Sequence, residues 1–326
     1  PDQQAQLAYF RSGDTHLHDV SPEEFDQLKR REPLSDYVVE DLGPSFNTHY
    51  LMFNLDPRRG SDKEYVVAPF RRRWFSRIKF RKAISHAIDR ETIVHNVLGG
   101  RGRPLWSYVS PANKKWHSDE VLKYDFDLEK SAQFLRDAGF SLRGSQLVDE
   151  AGRPVEFTII TNAESHIRIR MIDYIKADLS RLGIRTHIRA LPFNEVVAVL
   201  RDTRKFDAVL LGWGTDVPPD PSFSKNVLFS GGRSHNWYPD QKKPATKWEA
   251  EIDRLLRANI STHDYSERKR YADELHLIFS DALPQIQLVV THDAAAARRF
   301  VGNFSPSPLR PKTHWNLDTI YLKERR

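Results

Sequence analysis

The amino-acid sequence predicts an α/β fold, in which strands and amphipathic helices alternate. Two observations indicate it. Short apolar runs of strand length separate segments whose apolar residues recur at helical spacing, and the clearest series spans residues 154–213. Glycines and capping residues mark the ends of several of these segments. Such alternation favours lobes built on a largely parallel sheet.

The N-terminal part of the chain contains a predicted strand and several predicted helices. An amphipathic segment ends at Gly13, because glycine readily adopts the left-handed conformation that closes helices. Residues 49–55 are predicted to form a buried strand. Apolar residues between 76 and 98 follow helical spacing around a break at Asp89, whose carboxylate we expect to cap a second short helix.

The rest of the chain becomes regular after an irregular stretch at 104–126. That stretch contains prolines and scattered aromatic residues, which predicts ordered structure without a helix or strand. A helix capped by Asp127 is predicted over 127–140. Further predicted strands cover 154–160, 184–188, 206–213 and 283–290, and further predicted helices cover 167–183, 194–202 (capped by Asn194), 248–259 and 266–282.

The composition is typical of a globular protein and excludes several chemistries. The 326 residues are enough for two or three lobes, and 39% are hydrophobic and 29% charged. Since the chain has no cysteine, disulfides, thiolate zinc sites and cysteine nucleophiles are excluded. No run approaches the ~18 apolar residues that cross a bilayer. The sequence starts without methionine and without a visible secretory pattern, so we expect a fragment of a longer protein.

Part of the formal net charge of +6 is concentrated in residues 70–82, FRRRWFSRIKFRK. A basic patch is one feature of nucleic-acid-binding proteins. Specific recognition also requires elements that read bases, and the sequence contains no such motif. We therefore interpret the stretch as a solvated basic face and expect no nucleic-acid partner.

The most informative stretch is residues 210–223, LLGWGTDVPPDPSF. Its apolar run stops at Gly212 and Trp213, and ligands of parallel α/β sheets collect outside the carboxyl ends of strands. Gly212 and Gly214 are predicted to let the backbone turn without a side-chain clash. Trp213 offers an apolar wall and Asp216 a negative charge, while the following prolines restrict the loop and lower the entropy lost on binding. The combination suits a cationic amine on an otherwise apolar or peptidic ligand.

Other interpretations of these residues stay open on chemistry alone. Asp216 and Asp220 are also the residue type that starts turns in proline-rich loops. The same two acids would be the candidates if the protein were a glycosidase. No serine-nucleophile elbow, zinc-protease motif or complete phosphate loop occurs in the sequence. Four tryptophans are candidates either for a cleft or for the core, namely Trp106, Trp116, Trp237 and Trp315.

The histidines suggest a metal site only weakly. His16 and His18 would share one face of a strand, with Asp19 adjacent. A structural or catalytic metal needs further ligands at fitting geometry, and the sequence suggests none. We therefore predict no metal and no cofactor.

Five blocks then follow one another in a defined order. The order and spacing of these blocks resemble the extracellular solute-binding proteins of family 5, the peptide-, dipeptide- and nickel-binding receptors of ABC importers. The similarity extends over nearly the whole chain and is more specific than any single motif. The blocks are SRIKFRKAISHAIDRETIVHNVLGGRGRPLWSYVSP, YDFDLEKSAQFLRDAGF, GRPVEFTIITN, IDYIKADLSRLGIRTHI and FDAVLLGWGTDVPPDPSFSKNVLFS.

The resemblance implies a periplasmic-binding-protein-like fold of class II (cluster C), a clamp that encloses its ligand between two hinged lobes. It implies that residues 1–57 are an incomplete segment of the first lobe and that 58–290 form the C-terminal α/β lobe. Residues 291–326 would then return to the first lobe. An accessory lobe that family members insert early would precede this chain.

The resemblance also assigns site residues. In peptide-binding members, the first acid after Gly-Trp holds the ligand's α-ammonium group, and that position is Asp216 here. Dipeptide-type members have an arginine shortly after the strand at 154–160, where this sequence has Asn162, and Arg168 and Arg170 lie on the following helix rather than in the expected cleft. The ligand-binding candidates are therefore Asp216, Trp213, Gly212, Thr215, Asn162 and Trp237.

The leading hypothesis is a non-catalytic, monomeric receptor that delivers a small peptide or other amine-bearing solute to an ABC permease at the inner membrane. The resemblance implies a periplasmic or extracellular location, with lipid anchoring left open. One alternative is a cytoplasmic transcriptional regulator that uses a solute-binding module as its sensor. A second alternative is a hydrolase that uses Asp216 and Asp220.

Overall fold

The computed structural model describes residues 3–214, residue 217 and residues 219–324. Its N-terminal half contains short helices around one long strand. In chain order these elements are α1 (Gln3–Ser12), β1 (Leu17–Val20), α2 (Pro22–Arg31), β2 (Tyr37–Phe53), α3 (Pro69–Ser76), α4 (Ile78–Ala87), α5 (Arg90–Leu98), β3 (Gly102–Pro104), α6 (Leu128–Asp137), β4 (Ser141–Arg143) and β5 (Gln146–Val148).

The second half contains the alternating series and a second long strand. Its elements are β6 (Glu156–Asn162), α7 (His166–Ser180), β7 (Arg185–Leu191), α8 (Phe193–Ala198), β8 (Ala208–Trp213), α9 (Lys225–Leu228), α10 (Lys247–Ser261), α11 (Tyr265–Ala282), β9 (Gln285–Arg298), β10 (Val301–Gly302) and β11 (Tyr321–Leu322). A π-helical turn over Val199–Thr203 continues α8.

Within the described residues, the main sheet has the strand order β1-β9-β2-β8-β6-β7, and β3 pairs with β9. The long strands β2 and β9 run antiparallel, and β8 pairs antiparallel with β2. Among the described strands, only the pairs β6–β7 and β6–β8 are parallel. The predicted α/β class is confirmed, but the prediction of a largely parallel sheet is wrong. The alternating series does form parallel strands, yet it attaches to an antiparallel pair that the sequence pattern did not reveal.

Alternating residues of the central strands enter two different cores. Leu51 and Phe53 of β2 belong to the core that includes α4, α5 and α7. Their neighbours Tyr50 and Met52 point to the opposite face and pack with α10 and α11. A third, smaller core joins α1, α2 and β1 to the outer ends of β2 and β9. The lobe boundaries near residues 57 and 290 stay predictions.

Most predicted elements coincide with those observed. Asp89 caps α5 by accepting a hydrogen bond from the Thr92 amide at 2.9 Å, and Gly99 ends this helix in the left-handed conformation. The predicted cap of the short helix at 194–202 is wrong. That helix begins at Phe193 after Pro192, and Asn194 lies inside its first turn. Proline supplied the helix start because its fixed φ is compatible with the position before a first turn.

The strand on which the sequence placed His16 and His18 corresponds to β1, whereas α2 was not predicted. The helix starts with a capping box, in which the Ser21 hydroxyl accepts from the Glu24 amide and the Glu24 carboxylate accepts from the Ser21 amide. His18 on β1 contacts the same carboxylate at 3.1 Å.

The basic stretch at 70–82 is largely occupied by contacts within the protein. Arg71 lies 3.2 Å from Asp207, and Lys82 lies 2.6 Å from Asp281. Arg77 contacts Glu150 at 3.1 Å. Arg81 is buried and donates to the backbone carbonyl of Ala282. These contacts give the stretch a structural role and leave fewer of its charges available to an external anion.

A second buried arginine fastens α5 to the sheet. Arg90 has 3% of its surface exposed. Its guanidinium donates to the backbone carbonyl of Gln287 on β9 at 2.8 and 2.9 Å. It also donates to the carbonyl of Ser85 at 2.9 Å. Because these acceptors are buried, they would be left without a donor if the guanidinium were removed.

We expect Arg90→Met to lower the free energy of unfolding by roughly 3 kcal/mol or more, since several buried acceptors lose a charged donor. Urea denaturation followed by circular dichroism measures this change. The matched control is Arg254→Met, because Arg254 lies on the exposed face of α10 and pairs only with Glu251 within the described residues. Equal stability of the two variants would contradict the role assigned to Arg90.

Candidate ligand-binding site

The sequence motif at 210–223 lies where β8 ends against the middle of β2. Trp213 is the last residue of β8 and pairs with Thr48, and Gly212 pairs with His49. The pairing of β2 with β9 shifts register between Thr48 and Tyr50. Such irregularities bend a strand and re-aim its side chains. The end of β8 therefore meets β2 at one of its register shifts.

Trp213 is held in a defined orientation. Its indole ring stacks on Tyr50 with a centroid distance of 5.8 Å and an interplanar angle of 17°. The indole N–H donates to Oε1 of Gln285 on β9 at 3.2 Å. Contacts on β2 and β9 thus fix a half-buried aromatic surface at the strand end.

Two cavities meet at this tryptophan. The large cavity has a volume of about 430 Å³ and is lined by Trp213, Tyr50 and the arginines Arg168, Arg201 and Arg310, among others. The small cavity has a volume of about 70 Å³, and its lining combines apolar residues such as Trp116 and Leu275 with polar residues such as Asp220. Thr48, Trp213 and Gly214 line both cavities. One side of the strand end is therefore cationic and the other mainly apolar.

Gly212 serves close packing rather than a turn. It lies within β8, and it is not among the described glycines with positive φ. A Cβ atom at this position would lie 2.7 Å from the Thr48 carbonyl oxygen and 2.9 Å from Nη2 of Arg168. The prediction that this glycine lets the backbone turn is therefore wrong. Its missing side chain leaves room for the guanidinium of Arg168 beside the sheet.

Asn162 ends β6 and reaches the site through Arg168. Its Oδ1 accepts a hydrogen bond from Nη1 of Arg168 at 2.6 Å. Its Nδ2 donates to Glu164 at 3.2 Å, and the same carboxylate accepts from the Phe193 amide at 2.9 Å. The expectation that Arg168 stays out of the cleft is wrong, because the first turn of α7 directs this side chain into the large cavity. Asn162 itself is buried and orients the arginine.

The rings beside Arg168 are uncharged at neutral pH. Burial, together with the charge of Arg168, lowers the pKa of His49 to about 3. Burial also raises the pKa of Tyr50 above its usual value. The Nδ1 atom of His49 is buried and has no hydrogen-bond partner among the described residues. The wall of the large cavity therefore combines neutral rings with permanently cationic arginines.

Of the two acids in the motif at 210–223, Asp220 is described by the structure and Asp216 is not. Asp216 and Thr215 lie outside the described residues, so their roles remain predictions from the sequence. Asp220 accepts from the Ser222 amide at 3.0 Å and lies 2.6 Å from Nη2 of Arg268. Its pKa is lowered, because the hydrogen bonds from Arg268 and Ser222 outweigh the opposing effect of burial. Asp220 thus starts a turn and forms an ion pair, as the simpler interpretation proposed.

The four tryptophans have different environments. Trp237 is 1% exposed and packs in the core with α10 and α11, and it is not among the lining residues of either cavity. Its N–H faces Glu249 at 3.4 Å. Trp237 and Trp213 thus contribute to the same core, and of the two it is Trp213 that lines the cavities. Trp116 lines the small cavity, Trp106 is partly buried against the first core, and Trp315 is 54% exposed.

His16 and His18 do not form a metal centre in the described part of the chain. His18 is buried against Glu24, whereas the His16 ring packs edge-on against Phe300 with a centroid distance of 5.0 Å. The residues described contain no cluster of three potential metal ligands.

Sequence reasoning missed His49, Arg201 and Arg310 as lining residues of the large cavity. They come from a strand, a π-helical turn and the C-terminal tail, so no local pattern joins them. The close approach of β8 to β2 was signalled only by a glycine inside a strand.

The chain is thus an α/β protein with a mixed sheet between helices and with a strand end that opens into cavities beside a fixed tryptophan. Residues 1–235 match the family model described as bacterial extracellular solute-binding proteins, family 5, middle region. The chain belongs to this family, as its sequence blocks predicted.

Curated relatives and solved structures agree with this assignment. The chain is 29% identical over 304 residues to a probable ABC transporter-binding protein of Deinococcus radiodurans, covering 88% of this chain and 49% of the relative. It is 25% identical over 283 residues to the oligopeptide-binding protein AppA of Bacillus subtilis, covering 86% and 46%. The structure of AppA in complex with a nonapeptide matches with a TM-score of 0.81 at 21% identity, over 99% of this chain and 59% of that one.

A second structural neighbour is NikZ from Campylobacter jejuni in complex with Ni(L-His), with a TM-score of 0.77 at 20% identity over 98% of this chain and 60% of that one. These likenesses confirm the periplasmic-binding-protein-like fold. The chain spans about half the length of the curated relatives that it matches. No helix in the described residues has the length and apolarity required to span a membrane.

We expect Gly212→Ala to lower the free energy of unfolding by about 1–3 kcal/mol, because the added methyl group must displace Arg168 or separate β8 from β2. Urea denaturation measures the effect. Gly231→Ala is the matched control, because its Cβ atom would meet its nearest neighbour, the Gln241 carbonyl oxygen, at 3.4 Å. If both substitutions are tolerated equally, the packing role of Gly212 is refuted.

Proposed function

We propose that this chain is part of the substrate-binding component of an ABC importer, and that it binds a small peptide or a similar amine-bearing solute without catalysis. The observation that carries the proposal is the placement of Trp213. Its ring is fixed by Tyr50 and Gln285 and separates the two cavities at the end of β8. A rigid aromatic surface between concave spaces suits an organic solute, since little conformational entropy is lost there on binding.

The relatives support the solute class. AppA of Bacillus subtilis is named as an oligopeptide-binding protein, and a relative in Escherichia coli, 24% identical over 271 residues, is named as a dipeptide-binding protein. The large cavity of about 430 Å³ has the volume of a typical small-molecule site, roughly 300–1,000 Å³. The cationic lining on one side of Trp213 and the apolar lining on the other side suit a solute with both charged and apolar groups.

The proposal assigns the ammonium group of the solute to Asp216, three residues after Trp213 in the chain. A carboxylate that accepts hydrogen bonds from an ammonium group forms a strong, charge-assisted contact. The family supports a periplasmic or extracellular location, and an ABC permease is the partner that a receptor of this class requires. We further propose that the protein acts as a monomer; lipid anchoring stays open.

The hydrogen bonds that Asp220 accepts within the protein support binding without catalysis. A two-carboxylate hydrolase would need this acid to act on a substrate, but its Oδ1 atom already accepts from Arg268 and from the Ser222 amide. The alternative of a transcriptional regulator is weakened, because Arg71 and Arg77 of the basic stretch at 70–82 pair with acids of the same chain.

We expect Asp216→Ala to weaken the binding of a peptide with a free N-terminus by about 1.5–3 kcal/mol, the range for hydrogen bonds to charged groups. Isothermal titration calorimetry of a peptide library on the full-length protein identifies the peptide and then measures the loss. N-acetylation of the same peptide should weaken binding to the unsubstituted protein by a similar amount.

Asp173→Ala is the control, because Asp173 is exposed on α7 and does not line either cavity. Tight peptide binding that Asp216→Ala leaves unchanged would refute the ammonium-binding role. A full-length protein that binds no peptide in the library would refute the proposed solute class.

A further inference from the structure

A separate cavity lies at the outer edge of the main sheet, beside β3. Val290 of β9 pairs with Arg103 of β3 on one side and with Thr48 of β2 on the other. Since Thr48 also pairs with Trp213, Arg103 lies three strand spacings from that tryptophan, roughly 14 Å. The cavity has a volume of about 260 Å³ and shares no described lining residue with the two cavities at Trp213. We call it the edge cavity, and its lining includes Glu91, Arg103, Trp106, Ser107, Asp119 and Lys123.

The indole ring of Trp106 forms an apolar wall of the edge cavity. Its N–H donates to the backbone carbonyl of Tyr124 at 3.3 Å, and the ring packs against the first core. Tyr124 is itself fixed, because its carbonyl also accepts from Arg90 at 3.2 Å and its hydroxyl donates to the carbonyl of Ser280 on α11 at 3.0 Å. The ring is therefore held by contacts from two helices, and an aromatic face fixed in this way binds an apolar group with little loss of entropy.

One buried hydroxyl on the wall of the edge cavity has no partner in the described part of the chain. Ser107 is 2% exposed, and its Oγ atom has no hydrogen-bond partner among the described residues. Nearby serines differ, since the Ser110 hydroxyl donates to the Ser45 carbonyl and the Ser118 hydroxyl accepts from the Glu120 amide at 3.2 Å. A buried polar group without a partner destabilises a fold. The Ser107 hydroxyl is therefore available to a molecule bound in the cavity.

The edge cavity has charged residues of both signs, and three of them are not engaged by the described fold. Arg103 and Glu91 form neither an ion pair nor a hydrogen bond with a described residue. Lys123 forms neither as well, its ammonium group lying 5.8 Å from the centroid of the indole ring. Asp119 is different, because it accepts from Nε2 of His117 at 3.2 Å, and that hydrogen bond, together with the charges of Lys123 and Arg103, lowers the pKa of Asp119. Two cations and the carboxylate of Glu91 thus remain for a ligand.

This combination is complementary to a zwitterion that carries an apolar group. A carboxylate forms charge-assisted hydrogen bonds with arginine and lysine, and an ammonium group forms them with glutamate. A neutral sugar also stacks on an indole ring, but its hydroxyl groups compensate charged side chains less well than opposite charges do. The volume of about 260 Å³ lies below the range typical of drug-sized ligands, roughly 300–1,000 Å³, so a single amino acid suits the space better than a peptide.

We propose that the edge cavity is a second ligand site, which binds a free α-amino acid with an aromatic or branched apolar side chain. The carboxylate of the amino acid contacts Arg103 and Lys123, and its ammonium group contacts Glu91. The side chain of the amino acid lies against Trp106, and the Ser107 hydroxyl supplies a further hydrogen bond. The site is independent of the proposed function, because it uses none of the residues assigned there.

The first test defines the ligand by its charges. L-Phenylalanine is titrated into the full-length protein by isothermal titration calorimetry, beside phenethylamine, which lacks the carboxylate, and hydrocinnamate, which lacks the ammonium group. We expect L-phenylalanine to bind at least roughly tenfold more tightly than either analogue, which is the effect of one hydrogen-bonded charge. Glucose is the neutral comparison and should give no measurable heat.

The second test assigns the binding to the edge cavity. Arg103→Met and Glu91→Gln should each weaken L-phenylalanine binding by roughly tenfold. Glu129→Gln is the matched control and should leave binding unchanged, because Glu129 is likewise an exposed acid in the first turn of a helix but does not line the cavity. Ser107→Ala should weaken binding severalfold without lowering the melting temperature of the ligand-free protein, because it removes a hydroxyl that has no described partner. Thermal melting shows whether each variant is folded.

The outcomes separate this site from the proposed peptide site. L-Phenylalanine binding that folded Arg103→Met and Glu91→Gln both retain overturns the edge site, and its loss in Asp216→Ala would then place the amino acid in the solute cavity. Tighter binding of glucose than of L-phenylalanine overturns the zwitterionic ligand. The absence of heat with L-phenylalanine, L-tryptophan and L-leucine overturns the proposal, whatever the peptide library shows. Amino-acid binding that survives Asp216→Ala but not Arg103→Met supports the edge site, even if no peptide binds.

Discussion

The antiparallel pairing of β2 with β9 is the constraint on which the rest of the structure depends. The two strands contain 17 and 14 residues. Every other described strand of the main sheet except β6 and β7 pairs with one of them. They also connect the small core around α1 and α2 with the two larger cores. The pair therefore joins all three cores of the described structure.

The site follows from an irregularity in this pairing. Successive register shifts between Asp41 and Tyr50 prevent β2 from continuing as a flat strand, and β8 ends against the same segment. Residues from β2, β8 and α7 consequently converge around Trp213. Gly212 permits this convergence, because any larger residue would separate Arg168 from the sheet. The cavity walls are thus built by strands whose register is fixed elsewhere, which keeps the site rigid.

Local patterns predicted the elements well and their assembly less well. The alternating segments at 154–213 and the cap at Asp89 follow from neighbouring residues, so the sequence was sufficient for them. The length of β9 was missed, because the alanines at 294–297 have weak strand propensity and are held by pairing with β1 and β2 on both sides. The cationic side of the site was missed for a related reason. Helical spacing identifies α7 but does not show that its first turn faces the end of β8.

The buried arginines of this chain show how the fold holds charge inside its cores. Arg81 donates to backbone carbonyls of α3 and α11, and Arg90 donates to carbonyls of α4 and β9. Each guanidinium therefore fastens elements that lie far apart in the sequence, and removing it would leave buried acceptors without a donor. Arg168 has different surroundings, since it is half-buried, lines the large cavity and donates to one described side chain, that of Asn162. Its Nε atom, which has no partner among the described residues, does not set it apart, because Arg71 and Arg298 share this feature while they pair with acids of the fold.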